Sequence, residues 1–158
     1  MALNDNSIIG LVNRFTAKVI GESEYDLGSW YKIDGLDVTW DVADTRVGDQ
    51  GNYRWIMPAN TKYSAVKLSR AANKTDAEKV RKWLNKTQFD HKVGTNVVIH
   101  LYDSNRSEPG EGFIWELRNV LPAKWSISSF DANGSAVAVE LLELQHEGFL
   151  EEGPMLGA

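Results

Sequence analysis

Cysteine is absent from this chain of 158 residues, which removes disulfide staples, thiolate metal sites and a thiol nucleophile together. Histidine is scarce, and His91, His100 and His146 have no i, i+4 partner or other metal-ligand spacing. His91 follows Asp90 in a linker, His100 falls on the polar parity of a strand, and His146 lies beside Glu147. Positive charge is in deficit: 17 Lys and Arg against 22 Asp and Glu leave a net charge of −5. With no basic cluster interleaved with aromatics, this argues against a nucleic-acid surface. No run approaches the ~18 apolar residues of a membrane helix. The opening MALNDNSIIGLVNRF lacks the basic segment and long apolar run of an export signal. There is no Gly-x-Ser-x-Gly elbow, and Gly48 and Gly51 are not followed by the Gly-Lys-Ser/Thr of a phosphate loop. The sequence therefore predicts no catalytic residue, no cofactor and no metal.

What is present is a β-rich pattern with an excess of wide aromatics. Apolar residues make up 42% and charged residues 25%, a balance that packs a core and excludes a disordered chain. The 6 Trp are many for this length and hint at a surface used in association.

Period-two alternation marks the strands. Phe15, Ala17 and Val19 alternate with Thr16 and Lys18, and Val97, Ile99 and Leu101 run up to Asp103. Val66 and Leu68 alternate within Tyr63–Arg70, and Tyr53, Trp55 and Met57 lead to Pro58. Gly21–Gly28 reads as an acidic turn, with Trp30 and Tyr31 in the connection after it. The cleanest strand is Leu36–Ala43. Leu36, Val38, Trp40 and Val42 form its expected core face, and Asp37, Thr39, Asp41 and Ala43 its polar face. Asp44–Asn52 is a Gly-rich loop, and residues 103–112 form another. One helix starts at Thr75, where Thr75 and Glu78 make a capping box. Val80, Trp83, Leu84 and Thr87 form its apolar stripe, with Lys79, Arg81, Lys82 and Lys86 solvated. Short strands at close intervals with a single helix predict a mainly β fold, an antiparallel barrel or sandwich.

The most informative stretch is Phe113–Phe149. Phe113, Trp115 and Leu117 share one parity, a bend is expected at Leu121-Pro122, and Trp125 and Ile127 resume the alternation. Asp131-Ala132-Asn133-Gly134 reads as a tight primed hairpin turn. Ser135–Phe149 fits two states: Val137, Val139 and Leu141 alternate as in a strand, while Val137, Leu141 and Leu144 match helical spacing. As a strand it needs one extra residue near Glu140–Leu142 to bring Leu142 and Leu144 onto the same face.

This stretch resembles the tail-tube family of contractile phages and phage-tail-like contractile injection systems. The resemblance is carried by LRNVLPAKW, the Asp-x-Asn-Gly turn, and SAVAVELLELQHEGF with its closing Glu-Leu-Gln-His-Glu-Gly-Phe. Phe15–Val19, Gly28–Leu36, and Tyr63–Arg70 with the Trp83 helix agree with it. It implies a tail-tube domain over residues 14–150, between an N-terminal arm 1–13 and a flexible C-terminal tail 151–158. The implied fold is two packed antiparallel sheets forming a barrel-like sandwich with one flanking α-helix, assembling into hexameric rings. Val137–Gln145 is then a strand, bulged at Leu141–Leu142.

The resemblance also implies a role: a structural inner-tube subunit, not an enzyme, whose rings stack into a hollow tube inside a contractile sheath. Implied partners are further copies of the chain, sheath protein, baseplate or tube-initiator proteins, a tape-measure protein, and effector cargo or DNA in the lumen, with no membrane anchoring. The implied place of assembly is the bacterial cytoplasm, within a particle that stays there or is released. Asp37, Thr39 and Asp41 are the candidate lumen-facing residues; Arg46, Asp49, Gln50 and Asn52 are the candidate ring-stacking loop. Two alternatives stand beside this reading: a baseplate tube-initiator paralogue of the same family, and a monomeric small-ligand-binding β-barrel.

Overall fold

A computed structural model describes residues 10–21, 24–46, 48, 51–90, 95–103, 113–128, 132–134 and 137–150, without the side chains of 10–14, 89–90, 102–103 and 113. In chain order the strands are β1 (Gly10–Ile20), β2 (Tyr25–Trp30), β3 (Lys32–Asp34), β4 (Val38–Thr45), β5 (Trp55–Tyr63) and β6 (Val66–Ala71). Helix α1 (Lys74–Asp90) follows, then β7 (Asn96–Asp103), β8 (Phe113–Leu117), β9 (Leu121–Ile127) and β10 (Val139–Gln145). One four-stranded sheet has the order β2-β1-β7-β8 and a second the order β3-β6-β10-β9. All their pairings are antiparallel. Among the described residues β4 and β5 pair only with each other, as a separate two-stranded sheet.

The two larger sheets pack face to face because each has one apolar parity. Phe15, Ala17 and Val19 of β1, Val97, Ile99 and Leu101 of β7, and Leu117 of β8 turn inward from the first sheet. Val66 and Leu68 of β6 and Leu142 and Leu144 of β10 meet them from the second. Burying each such side chain contributes ~1.5–3 kcal/mol. α1 lies against β2 and adds Val80 and Trp83 to the same core, the stripe expected from its sequence. The architecture is thus the expected mainly β pair of packed sheets with one flanking helix, although the sheets are not closed into a barrel within the chain.

Several local expectations need correction. Residues 25–30 are strand and not turn, because β2 carries an extra residue opposite Ala17/Lys18. Gly28 sits there at φ 84°, so Leu27 and Trp30, three apart, both reach the core. β1 begins at Gly10, earlier than Phe15 and inside the stretch expected to be an arm. β5 continues through Pro58 to Tyr63, and β6 starts only at Val66.

The helix cap is Asn73, not Thr75. The Asn73 carboxamide oxygen accepts from the Thr75 amide at 3.2 Å, and the Asn73 carbonyl accepts from Ala77 at 2.9 Å. That satisfies an amide the first turn leaves free.

In the C-terminal block the chain turns at Asn119, whose φ is 46°, and Pro122 lies inside β9. Ala132 and Asn133 of the expected Asp131–Gly134 turn are turn residues, while Asp131 lies outside the described residues. β10 is a strand, but without a bulge at Leu141–Leu142. Glu140, Leu142 and Leu144 are its buried parity, and the extra residue is in β9, between the partners of Glu143 and Leu144.

Candidate assembly surface

The β4–β5 hairpin leaves the sandwich on two legs. The entering leg passes Gly35, whose φ is 89°; a Cβ there would stand 2.0 Å from the Ala65 carbonyl oxygen on the returning leg. Only glycine permits that approach. Beyond this neck every residue of β5 before Tyr63 is exposed.

Register sorts the hairpin into two faces, since directly opposed residues point the same way. Val38, Trp40, Val42 and Asp44 lie opposite Tyr63, Thr61, Pro58 and Ile56. This is the parity expected to face a core, yet Trp40 is 54% exposed, Val42 61% and Ile56 62%. The alternation is real, and among the described residues nothing covers it. On the other face Thr39, Ala43 and Thr45 lie opposite Lys62, Met57 and Trp55. β5 holds an extra residue between the partners of Trp40 and Val42, a bulge that increases local twist.

The three candidate lumen residues are only partly brought together. Thr39 and Asp41 share the second face. Asp37 precedes β4 and is exposed. Asp41 does not present a bare carboxylate, because Lys62 Nζ stands 2.8 Å from its Oδ2. Asp44 is matched in the same way by Arg54 at 3.1 Å. The sequence offered no sign of these cross-strand pairs. Arg46 and Asn52 are exposed at the hairpin tip; Asp49 and Gln50 lie outside the described residues.

At the base of the hairpin three rings meet. Tyr63, the last residue of β5, packs edge-on against His146 at 5.5 Å and against Phe149 at 5.3 Å. His146 Nε2 is 3.0 Å from the Ser64 carbonyl oxygen. A carbonyl only accepts, so Nε2 carries the proton and Nδ1 is a lone-pair acceptor, buried without a partner. Loss of hydration pushes the His146 pKa below its ordinary value, outweighing the Ser64 and Gly148 backbone groups, which favour the charged form.

Among the described residues no group of His, Asp and Glu is placed to hold a metal ion. Among the described residues, the β4–β5 sheet carries exposed apolar side chains on both faces beside the packed sandwich, the kind of surface that marks an interaction site. Residues 12–150 match the family model of the T4-like virus tail tube protein gp19. The chain belongs to that tail tube protein family.

Solved structures share the fold. The sheath-tube complex of the PVC extracellular contractile injection system matches at 22% identity and a TM-score of 0.69, over 92% of this chain and 91% of that one. A chain of the PVC sheath/tube terminator gives 21% and 0.70 over 92% and 97%. A chain of the anti-feeding prophage baseplate gives 20% and 0.67 over 95% and 96%. No curated protein sequence matches the chain at a significant level.

Proposed function

We propose that this chain is the repeating subunit of an inner tube, closing into hexameric rings that stack around a lumen for cargo or DNA inside a contractile sheath. The observation that carries this reading is the uncovered hairpin. A lone two-stranded hairpin is marginal in water, and this one exposes Trp40, Val42 and Ile56 along one face. A second copy is the natural cover, because identical subunits offer the same edges and faces at every step of a closed ring. The role needs no catalytic residue, and the chain acts as a structural component and not as an enzyme.

Thr39 and Asp41 occupy the less apolar face and are proposed to line the lumen, with Asp37 at the entrance to the strand. The pairing of Asp41 with Lys62 makes such a wall closer to charge-balanced than the sequence implied. It favours passage by offering no strong field of either sign. Arg46, Asp49, Gln50 and Asn52 form the proposed ring-stacking tip. Sheath protein, baseplate or initiator proteins and a tape-measure protein are the further proposed partners, met during assembly in a bacterial cytoplasm.

Negative-stain microscopy of purified protein tests the reading. Hollow tubes or stacked rings are expected; single rings point to the baseplate initiator, and dispersed monomers overturn tube formation. Deletion of residues 46–51 should leave folded protein that no longer stacks.

A further inference from the structure

The Glu-Leu-Gln-His-Glu-Gly-Phe segment spans Glu143–Phe149. Its last four residues, His146 to Phe149, leave β10 and fold back on two elements at once. Toward the first sheet, the Arg118 amide donates to the Gly148 carbonyl and the Glu147 amide to the Arg118 carbonyl, both at 2.9 Å. Asn119 Nδ2 donates to Glu147 Oε2 at 2.5 Å. These bonds fasten the segment to the end of β8. Toward the hairpin, His146 holds the Ser64 carbonyl, and the His146 and Phe149 rings enclose Tyr63.

Gly148 closes the arrangement. A Cβ at this position would lie 3.0 Å from the Tyr63 ring, and the residue holds φ at 153°, a backbone state that side chains disfavour. Phe149 packs against the buried core cluster, whereas Tyr63 is not among the residues packed on it, so Phe149 connects the base of the hairpin to the sandwich. On the other leg of the hairpin, Gly35 packs on Ala65. Both legs are thereby fixed at one narrow place.

We propose that the Tyr63–His146–Phe149 cluster, closed by Gly148, is a joint that sets the direction of the β4–β5 hairpin relative to the sandwich, and so positions its apolar face for a second copy of the chain. The positioning consequence rests on the tube reading; the joint itself does not. Its physical basis is rigidity at the base of a lever. Among the described residues the hairpin pairs with no other sheet, so a small rotation at Tyr63 becomes a large displacement at the tip. A mating surface must hold its geometry to fit an identical neighbour.

Hydrogen exchange on the purified full chain tests the joint, comparing wild type with Phe149→Ala, Gly148→Ala and the pair His146→Gln and His146→Phe. Phe149→Ala and Gly148→Ala should speed exchange of β4 and β5 amides by ~10-fold or more while β1 and β7 stay protected. His146→Gln, which retains a donor for Ser64, should lose less protection than His146→Phe. Unchanged exchange in the hairpin overturns the proposal. Uniform loss across β1, β7 and the hairpin, or a failure to fold, overturns it too, because the cluster is then ordinary core. Assembly is read separately by sedimentation: wild-type protein that forms no tubes sinks the tube reading alone.

Discussion

Arg70 Nε and Glu140 Oε2 meet at 2.7 Å inside the sandwich, with the two side chains 4% and 0% exposed. Arg70 also donates to the Leu27 carbonyl at 2.5 Å and lies 4.0 Å over the Trp30 ring. Trp125 Nε1 donates to Glu140 Oε1 at 2.8 Å. One ion pair thus links β6 and β10 of the second sheet to β2 of the first.

Breaking that pair from one side leaves a buried charge without its main partner; Arg70 would keep only Asp76 at 3.8 Å as a counter-charge. Arg70→Met or Glu140→Leu alone should each cost ~3–5 kcal/mol. The double variant should recover part of the loss, because an apolar pair needs no counter-charge while the Trp125 indole N–H and the Leu27 carbonyl lose their partners. Urea unfolding reads this as two lowered midpoints and one partly restored midpoint at unchanged slope.

The hairpin predicts the opposite separation of effects. Trp40→Ser and Val42→Asp act on side chains more than half exposed in the single chain, so the stability of the unassembled subunit should change by no more than ~0.5 kcal/mol. Tube formation should be lost in both. Thermal melts alongside sedimentation velocity check the pair of outcomes, and assembly equal to wild type would remove the hairpin face from the interface.

His146 predicts a pH response of defined sign. Its folded-state pKa lies below the ordinary 6.5, so the fold favours the neutral ring and the unfolded chain takes up the proton first. Its contribution is fully present above pH 6.5 and declines as pH falls through the lowered folded value. Melting temperature followed from pH 7.5 to 5 should fall in wild type and less steeply in His146→Phe.

At the helix start, Asn73→Ala should destabilise by ~1 kcal/mol, as loss of a cap does. Thr75→Ala should have the smaller effect, since the cap bond runs to the Thr75 backbone amide and not from its hydroxyl. Chemical denaturation of the two variants ranks them directly.

Legibility followed the chemistry of each segment. β7 and β8 and the Val80–Trp83 stripe were plain in the sequence because their periods are unbroken and their buried positions apolar. β2 was hidden by its bulge, which brings Leu27 and Trp30 to one side at a spacing of three. In β10 Leu142 and Leu144 were rightly expected on the apolar face, but Val139 and Leu141 were joined to them by a bulge that is not there, because Glu140 looks like a surface residue until Arg70 is known to stand beside it. That partner lies seventy positions away, and no local pattern announces it. The same holds for the candidate site. The amphipathic alternation of β4 was visible, whereas Lys62 beside Asp41 and the rings around Tyr63 depend on contacts between distant segments.

None of the buried core residues belongs to β4 or β5. The residues that decide whether the chain folds and those available to meet a neighbour therefore occupy different parts of the molecule. Substitutions in the hairpin can accumulate without eroding the sandwich, and core substitutions can be compensated without redrawing the contact face. A lineage built this way is free to alter which subunits it accepts while keeping one scaffold.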